Sequence, residues 1–246
     1  MTQTEPIRVT DDVYVLPVTA NLMGGPTVLN LTLILDAERG ATLVDTGVPG
    51  SLGTIEAGLG TLGLGWADVR RVVVTHHDLD HIGALPDVVA ASGAEVLALD
   101  AEAPYVRGDL PGQKTPSAEM LASMPPEMAA VFRDPPRAPV TRTLHDGEVL
   151  DVAGGVRVIA TPGHTVGHLS LFVERGGVLI TGDALVSAGG QLRPPMERAT
   201  PDMTEAARSV RKLTGLPVRT MVTYHGGLVT DDAPAQLSRV ALELGV

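Results

Sequence analysis

His76-His77-Asp78-Leu79-Asp80-His81 sets four side chains of metal-ligand type, at 76, 78, 80 and 81, within six residues. The residues before it, Arg71 to Thr75, form a β-branched run without polar alternation, the pattern of a strand buried on both faces. Open α/β sheets present their sites at the carboxyl ends of strands, so the cluster falls where a site belongs. Imidazole nitrogen and carboxylate oxygen suit zinc, manganese and iron. Taken alone, the cluster also reads as a solvated turn rich in His and Asp.

Three further strand ends carry the same residue types. Pro162-Gly163-His164-Thr165-Val166-Gly167-His168 follows a strand at 156–160, Asp183 follows the apolar run 178–181, and His225-Gly226-Gly227 follows a strand at 220–223. An unpaired carboxylate at Asp183 would be costly beside so apolar a run. Of the seven histidines, His76, His81, His164 and His225 occupy these ends, and four lone core histidines are a poor explanation of that placement.

In this order the motifs resemble the metallo-β-lactamase superfamily, whose signature is His-x-His-x-Asp-His, then His, Asp and His. The resemblance runs from Asp45, in Leu43-Val44-Asp45-Thr46-Gly47, to His225. It implies a four-layer αββα sandwich of two similar halves and two divalent metal ions. His76, Asp78 and His164 would hold the first ion and Asp80, His81 and His225 the second, with Asp183 bridging. Asp45 and His168 would orient ligands from behind. The expected chemistry is a hydroxide shared by metals ~3.5–4 Å apart, with Asp80 orienting it or shuttling its proton.

One position departs. The family's second His is Asp78 here, and an added anionic oxygen shifts preference from zinc toward manganese or iron. Diiron flavoproteins of the superfamily also carry a carboxylate there, so a diiron redox protein is one alternative and a non-catalytic, metal-stabilised binding module is another. His77 reads as structural, and His145, before Asp146-Gly147, as surface.

Composition narrows the field. There are 246 residues, no cysteine and a net charge of −11, which excludes thiolate ligands, a Cys nucleophile and disulfides, and disfavours long nucleic acid. Residues 1–12 lack the apolar stretch of a signal peptide and no run approaches a membrane span, so a cytoplasmic protein is expected. Gly58-Leu59-Gly60-Thr61-Leu62-Gly63 matches a dinucleotide fingerprint, but inside a helical pattern, where it fails the context test. No G-x-S-x-G segment is present.

Strands are expected at 13–16, 28–35, 41–44, 71–75, 95–99, 156–160, 169–173, 178–181 and 220–223. Helices are expected from a Ser51 cap to about 64, at 84–91, at 201–213 with Pro201 first, and at the C-terminus. A single domain over 1–246 is expected, with a proline-rich insertion at about 104–139. That stretch holds eight of the nineteen prolines, reads as a lid or pocket element, and also suits a homodimer contact. Met120, Met124 and Met128 within it read as core filler.

The substrate expectation is an ester-type bond of a small molecule: a phosphodiester, or a carboxylic ester, lactone or thioester. Arg193, Arg198 and Tyr224 are candidate substrate contacts, Tyr224 as an oxyanion donor. β-Lactam cleavage is disfavoured without an export signal, and glyoxalase II activity by the short tail after His225.

Overall fold

The computed structural model describes residues 5–22 and 25–246, with the side chain of Met128 also outside the description. The first sheet holds β1 (Ile7–Arg8), β2 (Val13–Leu22), β3 (Gly25–Ile34), β4 (Ala41–Val44), β5 (Val69–Val73), β6 (Glu95–Leu99) and β7 (Arg142–Leu144), in that spatial order. The second holds β8 (Val149–Leu150), β9 (Val156–Ala160), β10 (Leu169–Val173), β11 (Val178–Ile180), β14 (Thr220–Thr223) and β15 (Gly227–Val229), ordered β15-β14-β11-β10-β9-β8. A separate hairpin pairs β12 (Val186–Ala188) with β13 (Gln191–Arg193).

Alternation along the strands divides the apolar residues among three cores. On β2, Val13 and Val15 face the second sheet, while Leu16 and Val18 face the helices α1 (Leu52–Thr61) and α3 (Leu85–Ser92). On β9 and β10, Val156, Val158, Leu169 and Leu171 fill the space between the sheets. Ile159 and Phe172 turn outward to Val210 and Leu213 of α7 (Met203–Leu213) and Leu237 and Val240 of α8 (Ala233–Glu243). Three cores separate four layers, which makes the αββα sandwich a consequence of the period-two pattern.

Parallel pairing fixes the site end. β4, β5, β6 and β7 run parallel, as do β11 and β14, so their carboxyl ends collect at common edges. A bridge between Leu29 and His225 joins the sheets there, and Asn30 N–H donates to the Tyr224 carbonyl at 3.0 Å.

Several local expectations need correction. Ser51 places no side-chain bond on the α1 N-terminus, and α7 begins at Met203 under an Asp202 cap that accepts from Glu205 N–H, two residues beyond the expected Pro201. The short helix α2 (Leu79–Ile82) lies within the ligand cluster itself. The proline-rich stretch folds as short helices: α4 (Ala103–Arg107) ends on Gly108 at φ +77°, while α5 (Ala118–Ser123) and α6 (Pro126–Arg133) stop just before Pro125 and Pro135. Met120 is 54% exposed and is not core filler, whereas the expectation for the Met128 side chain lies outside the described residues. Among the described residues no helix is long and apolar enough to cross a membrane.

Candidate metal centre

The expected ligands converge. Asp45 leaves β4 with φ +61°, a left-handed turn that aims its carboxylate back over β5. One oxygen accepts from Thr75 N–H at 2.8 Å. The other accepts from Thr75 Oγ1 at 2.7 Å and from His81 Nδ1 at 2.8 Å. With its Nδ1 proton so engaged, His81 turns Nε2 toward Asp183 Oδ1, 3.4 Å away. Asp45 is buried and hydrogen-bonded to His81, the position in which the resemblance expects an orienting group.

Asp183 stands between the two ligand groups. Its Oδ2 lies 3.4 Å from His164 Nε2 and 3.5 Å from His225 Nε2, while Oδ1 faces His81. His168 Nε2 accepts the Asp183 backbone N–H at 2.9 Å, and its Nδ1 lies 2.7 Å from Thr161 Oγ1. Burial lowers the pKa of His168 to about 3, so the ring is a neutral acceptor. The intervening turn requires glycine: Gly182 has φ +53°, and a Cβ there would come within 2.7 Å of His168 Nε2.

Around the first position, Asp78 Oδ2 lies 3.3 Å from His76 Nε2 and 3.1 Å from His164 Nε2. Around the second, Asp80 Oδ2 lies 3.3 Å from His225 Nε2 and 3.9 Å from His81 Nε2. Burial alone would lower the His225 pKa, but the Asp183 and Asp80 carboxylates outweigh it and push the ring up to about 9. His81 is likewise raised against its burial by Asp183 and Asp45.

A direct test of fit comes from the polar atoms left over. Among the described residues, six buried side-chain atoms lack a hydrogen-bond partner, and three of them, His76 Nε2, His81 Nε2 and Asp183 Oδ1, belong to candidate ligands. His76, His81 and Asp183 also bring donor atoms within 4.8 Å of one another, as do Asp80, His81 and His225, and His76, Asp78 and His164. Orphaned donors of this kind are expensive unless a cation satisfies them. The residues fit a metal.

The cavity over this centre measures about 360 Å³ and is walled by Leu22, Val48, Leu79, Phe132, Pro135 and Met196. Gly112, Lys114, Thr115 and Arg198 also line it, so the proline-rich stretch contributes to the pocket. Two expected substrate contacts fall elsewhere. Tyr224 is buried, stacks on His81 and donates its hydroxyl to the Asp80 carbonyl, so it braces the ligand loop and cannot serve as an oxyanion donor. Arg193 lies on β13 in a separate hollow with Arg239 and Glu243. His145 is exposed, as expected.

Sequence reasoning missed two residues. Glu102, fully buried, accepts from His77 N–H and His77 Nδ1 with one oxygen, and from Thr165 Oγ1 and Gly167 N–H with the other. It ties the two ligand loops together and gives His77 its structural role. Lys114 reaches into the first position, where its ammonium donates to Asp78 Oδ2 and sits 2.8 Å from His164 Nε2. No local motif marks either residue.

Comparison with known proteins agrees with this geometry. The metallo-beta-lactamase superfamily matches residues 24–225. The probable metallo-hydrolase YflN of Bacillus subtilis is 32% identical over 204 residues, spanning 75% of this chain and 74% of that protein. A hydroxyacylglutathione hydrolase of Rhodospirillum rubrum is 30% identical over 65% of this chain, but the match covers only 48% of that enzyme. The metallo-beta-lactamase family protein TTHA1429 of Thermus thermophilus superposes with a TM-score of 0.72 at 30% identity, over 96% of this chain and 79% of that one. With ligands, fold and relatives in agreement, the chain belongs to the metallo-beta-lactamase superfamily.

Proposed function

We propose that this protein is a metal-dependent hydrolase that opens a carboxylic ester, lactone or thioester bond in a small molecule with an apolar acyl part. The observation that carries the metal dependence is the set of buried, unpartnered atoms His76 Nε2, His81 Nε2 and Asp183 Oδ1. Asp80, His81, Asp183 and His225 would hold a metal ion, with zinc, manganese and iron all compatible with two imidazoles and two carboxylates. When bound, such an ion supplies a Lewis acid for the substrate oxygen and lowers the pKa of water.

The chain's own residues do the rest. Asp80, partly open to the cavity, is placed to take the proton of the attacking water. Asp45 and Tyr224 hold His81 and the Asp80 main chain in register. The walls at Leu22, Val48, Leu79, Phe132 and Met196 offer an acyl chain apolar surface to bury against. Those walls, with a net charge of −11, favour acyl over phosphodiester substrates. The hydroxyacylglutathione hydrolase relative, which by its name acts on a thioester, supports the same class.

The test is a panel of p-nitrophenyl esters from acetyl to octanoyl, with lactones, acyl thioesters and bis(p-nitrophenyl) phosphate, assayed before and after chelation. Ester hydrolysis that strengthens with chain length, disappears on chelation and returns with metal is the expected result. Preference for the phosphodiester would overturn the acyl assignment, and turnover surviving chelation would overturn the metal dependence.

A further inference from the structure

Lys114 links two oddities: a carboxylate where the family carries histidine, and a cation inside a ligand set. The three N–H bonds of its ammonium find three acceptors, Asp78 Oδ2, His164 Nε2 at 2.8 Å and the Ala199 carbonyl at 3.3 Å. Two of those acceptors are the atoms that Asp78 and His164 would offer to the first metal. The side chain is only 22% exposed, the same as that of Asp78.

The loop carrying Lys114 is anchored on both flanks. Gln113 N–H donates to His77 Nε2 at 3.1 Å, Gln113 Oε1 accepts from Val166 N–H at 3.0 Å, and Thr115 closes a turn on the Gly112 carbonyl. His77 in turn is fixed by Glu102. The ammonium is thus delivered by a built arm.

We infer that the Lys114 ammonium is the resident cation of the first position, so that the chain binds one metal ion, at Asp80, His81, Asp183 and His225, where the family pattern implies two. This rests on the metal-hydrolase reading above. The leftover atoms bear on this: His76 Nε2, His81 Nε2 and Asp183 Oδ1 lack partners and their residues bring donor atoms within 4.8 Å of one another, whereas Asp78 Oδ2 and His164 Nε2 are met by Lys114. A second divalent ion would have to expel the ammonium or sit against it. Asp78 also gains a reason: a neutral histidine there would offer the ammonium a lone pair but no opposing charge.

The experiment is metal content by mass spectrometry after loading with Zn(II) or Mn(II) and dialysis, with Mn(II) electron paramagnetic resonance on the same samples. The wild type is expected to hold one equivalent per chain and to give the spectrum of an isolated Mn(II). Lys114→Met, close in shape and uncharged, is expected to hold two equivalents and give an exchange-coupled pair. Asp78→His, which breaks the ion pair without touching the arm, should also gain a second equivalent and keeps the test open if Lys114→Met fails to fold by circular dichroism. Two equivalents in the wild type, or one equivalent in both folded variants, would overturn the inference and leave the hydrolase reading standing. No metal in any of the three proteins would overturn both.

Discussion

Metal should compete with protons at His225, and the structure sets the size of the effect. The ring lies 3.3 Å from Asp80 Oδ2 and 3.5 Å from Asp183 Oδ2, and these carboxylates push its pKa up to about 9. Only the neutral imidazole ligates a metal, so at pH 7 about one molecule in a hundred is ready, and apparent affinity is about 100-fold below its high-pH limit. Raising the pH from 7 to 8 should tighten binding about tenfold per proton displaced, and the gain should flatten above pH 9. His81, also raised, adds to the proton count. Calorimetry in buffers of differing ionisation enthalpy should find at least about one proton released per metal at pH 7.

The same linkage acts on the metal-free fold. A folded-state pKa above the ordinary value of 6.5 gives stability that is complete below that value and lost as pH rises through about 9. The ceiling is about 3 kcal/mol, shared with Asp183. Metal-free protein should therefore melt lower at pH 9.5 than at pH 6.5, and metal-loaded protein should show much less of this loss. Affinity independent of pH from 6.5 to 8.5, with no proton released, would refute the reasoning.

Three other outcomes follow from named contacts. Asp45→Asn should weaken metal binding by roughly 10–100-fold, read by competition with a chelating dye, because His81 loses its charged orienting partner. Glu102→Ala strips partners from His77, Thr165 and Gly167 and should cost at least about 3 kcal/mol, lowering Tm by roughly 10 °C in a calorimetric scan. Tyr224→Phe should lower kcat by less than about tenfold, since it loses one bond to the Asp80 carbonyl; a 100-fold loss would restore the oxyanion role that burial denies it.

The convergence of the candidate ligands was legible because each follows a strand whose apolar pattern is plain, and parallel strands bring those ends together. The strands were legible for the same reason, with β4, β6, β9, β10 and β14 falling on the expected residues, whereas the sandwich was expected from the family resemblance. Arg193 and Tyr224 misled because proximity in sequence to a ligand does not fix the direction of a side chain: one lies on a hairpin facing elsewhere, and the other turns inward onto His81. Lys114 and Glu102 were hidden because their roles arise only from tertiary approach, a lysine among prolines and a glutamate beside a helix start. Asp78 stood out in the sequence as a departure bearing on the choice of metal, and its contact with Lys114 emerges only in the fold.

The candidate ligands come from both sheets: His76, Asp78, Asp80 and His81 from the first, and His164, Asp183 and His225 from the second. The metal centre is therefore a gauge of how the two halves sit against each other. Any change in the sandwich interior that lets the sheets slide, such as Leu171→Ala between them, spreads the donors and weakens the metal without touching a ligand. Conversely, every bound ion holds that interior shut, so metal supply sets how much wear in the interior the fold tolerates before it opens.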